Sequence, residues 1–254
     1  RVRRCAATAR PHAAVDRRVH HLERAGRARP QAIRPREDRD VVQLDADSHL
    51  QHDAVVPSAA DHQVLEANVL RHVVDEAVLA EQVGLDCFGV GEHHRRDFAI
   101  SAPEVVLAAI AGRTSRIRLG SAVTVLSTDD PVRVFQRFST LNALSRGRAE
   151  VILGRGSFTE SYPLFGFDLA HYEQLFEEKL EVFAALITGG PVTWKGSTRS
   201  ALKDQIVYPP IERGTLRTWV GVGGSPESVI RAARYGLPLT LAIIGGDPIR
   251  FRPY

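Results

Sequence analysis

The chain has 254 residues, 44% apolar and 25% charged, which is the make-up of a soluble globular protein with room for one substantial core. No apolar run reaches the roughly 18 residues a membrane-spanning helix needs, and the opening RVRRCAATARPHAA lacks the apolar stretch of a secretory signal. Cys5 and Cys87 make neither a disulfide framework nor a metal-ligand pair, so a reducing, cytoplasmic setting is expected, with no metal.

The net charge of +3 is unevenly spread. Residues 1–73 hold thirteen Arg and no Lys against ten acidic residues, while the remainder balances twenty against twenty. That front segment has no Phe, Trp or Tyr, one glycine (Gly26) and seven of the ten histidines. So little large apolar surface cannot offset the entropy of ordering. Residues 1–71 are therefore expected to be low-complexity sequence, the product of a GC-rich gene read out of frame or a disordered tail, with a folded element as the third alternative. The pair His20–His21 and the stretch HLQH at 49–52 lack the carboxylate or cysteine support of a metal site. The arginine excess lies here and not on a folded face, so nucleic acid is not an expected partner.

From about Val73 the texture changes. VVDEAVLAEQVG spaces its apolar residues as an amphipathic helix and closes on Gly84. A strand follows at 85–90. Ser101 and Glu104 have the spacing of a capping box ahead of PEVVLAAIAGRT. RIRLGSAVTVLS (116–127) reads as one strand, and Asp130–Pro131 opens a helix that puts Val134, Phe138 and Leu141 on one stripe and stops at Gly147. RAEVILGRG (148–156) is a strand and HYEQLFEEKLEVFAALI (171–187) a long helix. The turn-rich stretch 188–214 suggests an inserted hairpin. TLRTWVGVGG (215–224) is a strand, Ser225–Pro226 starts a helix, LPLTLAIIGG (237–246) is a further strand, and Asp247–Pro248 opens the next helix.

Continuous apolar strands alternating with helices mean parallel βαβ units. A doubly wound nucleotide-binding sheet would carry GxGxxG after its first strand. GVGGSP (221–226) follows a late strand and has Pro226 where the last glycine belongs. The (β/α)8 barrel is the favoured architecture, and its active site lies at the carboxyl ends of the strands. Glu92, His93 and His94 stand at such an end. His93 could serve as an acid/base there, or simply cap its strand. In GRG (154–156) the glycines admit close backbone approach while Arg155 offers a planar fork to phosphate oxygens or to a surface carboxylate. In GGSPES (223–228) a glycine-rich turn runs into a helix N-terminus, which makes Ser225 a helix cap and the turn an anion site. The aromatics of SFTESYPLFGFD (157–168) either line a substrate pocket or fill a satellite core.

GEHHRRDF, SAVTVLSTDDP, ILGRGSFTESYPLFG and WVGVGGSPES, in this order, resemble the bacterial-luciferase-like flavin monooxygenase superfamily over residues 72–254. The resemblance implies reduced FMN across the barrel mouth, supplied in some relatives by a separate flavin reductase. It also implies dioxygen, a small organic substrate receiving one oxygen atom, and a homodimer. His93 matches the active-site histidine, Ala122–Val123 a non-proline cis peptide against the flavin ring, with Thr124 next to it. Arg155 and Gly156, with Gly223, Gly224 and Ser225, match the cofactor phosphate site. Related proteins use a deazaflavin for hydride transfer, and a truncated, non-catalytic relative is a further alternative. The matching stretches supply strands two to six only; the first strand is not visible in residues 1–72 and the last two would follow Tyr254. An incomplete barrel with unpaired parallel edges is expected.

Overall fold

The computed structural model describes residues 6–8, 59–212, 214–243 and 247–252. Most of the expectation of disorder over 1–71 lies outside them, and it is corrected where they overlap, since 6–8 form a strand and 59–71 belong to a helix. The architecture is an incomplete (β/α)8 barrel, a curled parallel half-barrel of strands with helices on its convex face. Its spatial order begins with β1 (Ala6–Thr8), then β2 (Cys87–Val90), β3 (Arg118–Ser121), β5 (Ala149–Gly154), β8 (Arg217–Val222) and β9 (Leu239–Leu241). The short β4 (Thr124–Val125) pairs with β5 as well. The first position of the sheet, which the sequence pattern leaves empty, is thus filled by β1, parallel to β2 with Ala6 opposite Phe88.

Three of the helix starts follow the local chemistry. Asp130 accepts from Val132 N and Arg133 N at the head of α3 (Pro131–Leu144), and Ser225 accepts from Ser228 N at the head of α6 (Pro226–Arg234). Asp247 does the same for a final turn over Pro248–Phe251. Gly84 (φ +88°) takes the left-handed turn that ends α1 (Ala59–Gln82), which begins well before Val73. The capping box is a correction: the residue at the head of α2 (Pro103–Ala111) is Ala102, with no side-chain cap. Glu104 instead reaches Arg137 Nε on α3 at 3.0 Å. An ion pair across two helices outcompetes a cap, because it also satisfies a half-buried guanidinium.

The stretch 116–127 is not one strand. From Gly120, opposite Glu150, to Thr124, opposite Leu153, the chain takes four steps where β5 takes three. The extra residue makes a bulge, and the peptide Ala122–Val123 at its centre is cis. Within the strand expected over 237–246, Leu239–Leu241 forms a strand, and residues 244–246 lie outside the described residues. The hairpin expected within 188–214 is present as antiparallel β6 (Val192–Trp194) and β7 (Leu202–Gln205). Along β5 and β8, Val151, Leu153, Val220 and Val222 join the helix-side core, with Leu107 and Ile110 from α2, Phe138 from α3, and Leu180 and Phe183 from α5 (Tyr172–Ile187). Glu150, Ile152, Trp219 and Gly221 alternate with them, as the two-residue period of a strand requires.

Candidate active site

β2 ends at Val90, and Gly91 lets the chain turn so that the next three side chains take separate directions. The His93 backbone N–H donates to Ile100 O at 2.9 Å, which fixes the loop. Its imidazole folds back over the strand end: a Cβ on Gly91 would sit 3.0 Å from Nε2. Any larger residue at 91 would push the ring away. The ring packs on Phe98 (centroids 4.0 Å apart) and edge-on to Phe158 (5.4 Å). Burial holds the His93 pKa below its ordinary value, with Asp97 and Glu160 opposing and His94 and Arg95 reinforcing the fall. The imidazole is therefore neutral at pH 7 and ready to accept a proton.

Glu92 does not touch His93. Its buried carboxylate accepts from Val125 N at 2.9 Å through one oxygen and pairs with His94 Nε2 at 2.9 Å through the other. One side chain thus ties the end of β2 to β4 and fixes the second histidine, whose ring meets Phe165 edge-on at 4.9 Å.

The bulge occupies the middle of the rim. Val123 packs so closely on the neighbouring strands that a Cβ on Gly154 would lie 2.6 Å from its Cγ2, and one on Gly221 3.1 Å from its Cγ1. Glycine at both places is what lets the peptide sit there. The same peptide's Ala122 O is 3.5 Å from the position a Gly91 Cβ would take, so bulge and His93 share one corner. Thr124 is fully buried, and its hydroxyl donates to Ser121 Oγ at 2.8 Å; it stitches the bulge together. A hollow opens beside these groups, walled by Glu92, His93, His94, Val125, Gly156 and Phe158 among others.

Arg155 stands next to Gly156 on the same turn but faces α6. Its Nη2 reaches Ser228 Oγ at 3.5 Å, and Ser228 Oγ lies 2.9 Å from Ser225 Oγ. Arg155 also pairs with Glu173 and stacks over Tyr172, its guanidinium carbon 4.8 Å from the ring centre. Gly224 (φ +106°) makes the turn into α6; a Cβ there would meet Phe251 at 3.7 Å, whereas one on Gly223 would meet nothing within 4 Å. Arg231, two turns into α6 and 8% exposed, leaves Nη1 without a hydrogen-bond partner. Two serine hydroxyls, a guanidinium fork, a helix N-terminus and an orphaned buried donor form a set suited to a phosphate.

Of the sequence-selected residues, His93 and Gly156 line one hollow, Ala122 and Val123 pack beside it against Gly91, Gly154 and Gly221, and Arg155 and Ser225 meet through Ser228. Ser228 and Arg231 were not selected. Ser228 could have been, since it lies three residues after a cap at a glycine-rich turn. The aromatics of 157–168 divide: Phe158 and Phe165 meet the histidines, whereas Tyr162 is buried and Phe167 lies under the Lys179 ammonium, 3.8 Å from Nζ.

A parallel half-barrel with an imidazole and a serine–guanidinium corner after the carboxyl ends of its strands has the architecture of a (β/α)8-barrel protein. The chain belongs to the luciferase-like monooxygenase family, whose sequence pattern matches residues 51–252. It is 34% identical over 188 residues to N-acetyl-S-alkylcysteine monooxygenase of Bacillus subtilis, covering 71% of this chain and 53% of that one. Among solved structures, the oxygenating constituent of 3,6-diketocamphane monooxygenase from Pseudomonas putida, in complex with FMN, superposes with a TM-score of 0.60 at 18% identity, over 69% of this chain and 52% of that one. An F420-dependent secondary alcohol dehydrogenase, in complex with an F420–acetone adduct, gives a TM-score of 0.60 at 22% identity, over 68% and 54%. The chain spans about half the length of the curated relatives it matches. Among the described residues no helix is long and apolar enough to cross a membrane, and no cluster of metal-ligating side chains is found.

Proposed function

We propose that this chain binds reduced FMN along the rim and, with dioxygen, oxidises a small organic substrate. The observation that carries the reading is the turn Gly154–Gly156: Gly156 lines the hollow beside His93 while Arg155, one residue back, reaches the Ser225–Ser228 corner. One short turn thus links the hollow beside His93 to the serine–guanidinium corner, which supports the reading of one ligand spanning both. Arg155, Ser225 and Ser228 would hold the phosphate, with Gly223 and Gly224 forming the turn that leads into α6. The Ala122–Val123 peptide and Val125 would bear on the ring system. Reduced FMN, once bound, supplies the two electrons that let one oxygen atom of dioxygen enter the substrate and the other leave as water.

His93, held neutral by burial, takes up and returns a proton at its ring nitrogen. Phe98 and Phe158 keep water from that nitrogen. Glu92 fixes the bulge through Val125 N and orients His94. A separate flavin reductase would supply the reduced cofactor. Titrating the protein with FMN and, separately, with F420 while recording absorbance and fluorescence tests the reading. FMN binding that is lost in Arg155→Ala is expected. Binding of F420 alone would move the assignment to hydride transfer, and binding of neither would overturn it.

A further inference from the structure

The anion corner already contains an anion. Glu173, in the first turn of α5, pairs through one oxygen with Arg155 and through the other with Arg231 Nη2 at 3.0 Å. Two cations, one on the turn after β5 and one on α6, thus converge on one carboxylate. The neighbouring Glu177 is built differently. It is held by Arg231 Nε at 2.5 Å, Arg234 Nη1 at 2.6 Å and the Tyr235 hydroxyl at 3.3 Å, and its side chain is 32% exposed. Burial raises its pKa, but the hydrogen bond from Arg231 and the charges of Arg231 and Arg234 outweigh this and bring it below the ordinary carboxylate value. The Glu173 side chain is 62% exposed and bonds the two guanidiniums from the solvent side, so a change of rotamer would carry its carboxylate into water.

We propose that Glu173 is an internal occupant of the anion corner, which a phosphomonoester dianion displaces, and that Arg231 then joins Arg155, Ser225 and Ser228 as a ligand. Three features carry this. Glu173 bridges the two guanidiniums that flank the serines. Arg231, nine-tenths buried, keeps a donor, Nη1, that no protein group satisfies. An exposed carboxylate–guanidinium pair contributes little, whereas a dianion with several oxygens can engage both forks and the hydroxyls together. Glu177 stays in place as the anchor that keeps Arg231 aimed. The arrangement favours a doubly charged phosphate over a monoanion, because only the former gains enough to displace the carboxylate. With Glu173 in the corner, affinity is reduced by the fraction of molecules in which the corner is open.

The inference rests on the proposed flavin reading only in naming FMN as the natural phosphate carrier. Its test therefore uses three probes on the full chain: FMN, riboflavin and inorganic phosphate, each titrated into wild type, Glu173→Gln and Glu227→Gln. Glu227 is an exposed carboxylate in the first turn of α6 and controls for a general loss of negative charge. Glu173→Gln should tighten FMN and inorganic phosphate by roughly two- to tenfold, on the scale of one or two exposed ion pairs, and leave riboflavin unchanged. Equal affinities in wild type and Glu173→Gln would overturn the proposal. So would equal tightening of riboflavin, or the same gain in Glu227→Gln. If no flavin binds to any variant but the phosphate gain persists, the occupant role stands and only the flavin reading falls.

Discussion

The two ends of the half-barrel handle charge in opposite ways. Near the amino-terminal ends of the strands two buried or half-buried ionic groups, Glu150 and Arg148, each gather several partners. Glu150, 2% exposed on β5, takes Arg118 on β3 at 3.1 Å, Arg217 on β8 at 3.2 Å and the Trp219 indole N–H at 3.2 Å. Arg148 donates to Ser145 O, Thr114 Oγ1, Ile117 O, Ala111 O and Thr114 O, all within 2.8–3.1 Å. At the carboxyl-terminal rim the accounting is left open. Arg231 keeps an unsatisfied donor, His93 is held neutral by burial, and burial brings the Lys179 ammonium, bonded to Ser127 O at 2.7 Å, down to about 8 against the pull of Asp129 and Asp130. On the proposed function, one end is closed by its ion pairs and the other receives the ligand, the division between stability face and active face expected of a barrel.

The contrast predicts that mutations at the two ends fail in different assays. His93→Asn should lower turnover by about 10²- to 10⁴-fold, the usual contribution of a positioned acid/base, while its melting temperature and FMN affinity match wild type. A parallel loss of stability would show that His93 is a strut. Glu150→Ala should do the reverse. Removing the carboxylate strands Arg118 and the indole N–H in the barrel interior, costing about 3 kcal/mol; the half exposure of Arg217 keeps the figure at the low end for a buried pair. Denaturant unfolding measures the loss, and flavin affinity of the folded fraction should be unchanged. Equal stability of Glu150→Ala and wild type would erase the distinction between the two ends.

What could be read from the sequence follows the range of each interaction. Asp130–Pro131, Ser225–Pro226 and Asp247–Pro248 act within three residues, and all three start helical turns. Ser101 and Glu104 have equally good local spacing, yet Arg137, 33 residues on, claims the Glu104 carboxylate. The break at Ala122–Val123 was invisible to hydrophobic patterning, because the run from Ile117 to Leu126 is apolar enough for an unbroken strand. Ala6–Thr8 carries too little side chain to announce a strand; its place is given by parallel pairing with β2. At the site, His93, Arg155 and Ser225 were visible because each follows a strand. Glu173 and Arg231 were not, since 58 residues separate them and neither sits in a motif. Glu92 was visible as a residue but not in its role, which depends on a backbone N–H 33 residues away.

The smallest expected effect again belongs to the closed end and has a sign in pH. Glu81 near the end of α1 accepts the backbone N–H groups of Ser115, Arg116 and Ile117, clasping α1 to the entry of β3. Burial alone would raise its pKa, but these hydrogen bonds and the charge of Arg116 lower it to about 2. A carboxyl whose folded pKa lies below its unfolded value adds stability above the unfolded value near 4.5 and loses it as pH falls toward 2. Wild type should therefore lose stability steadily over that window, and Glu81→Ala, weaker by about 1 kcal/mol at pH 7, should lose less. The two unfolding midpoints would then converge as the acid limit is approached. Midpoints that stay the same distance apart from pH 6 to pH 2.5 would mean that the clasp works by packing and not by its charge.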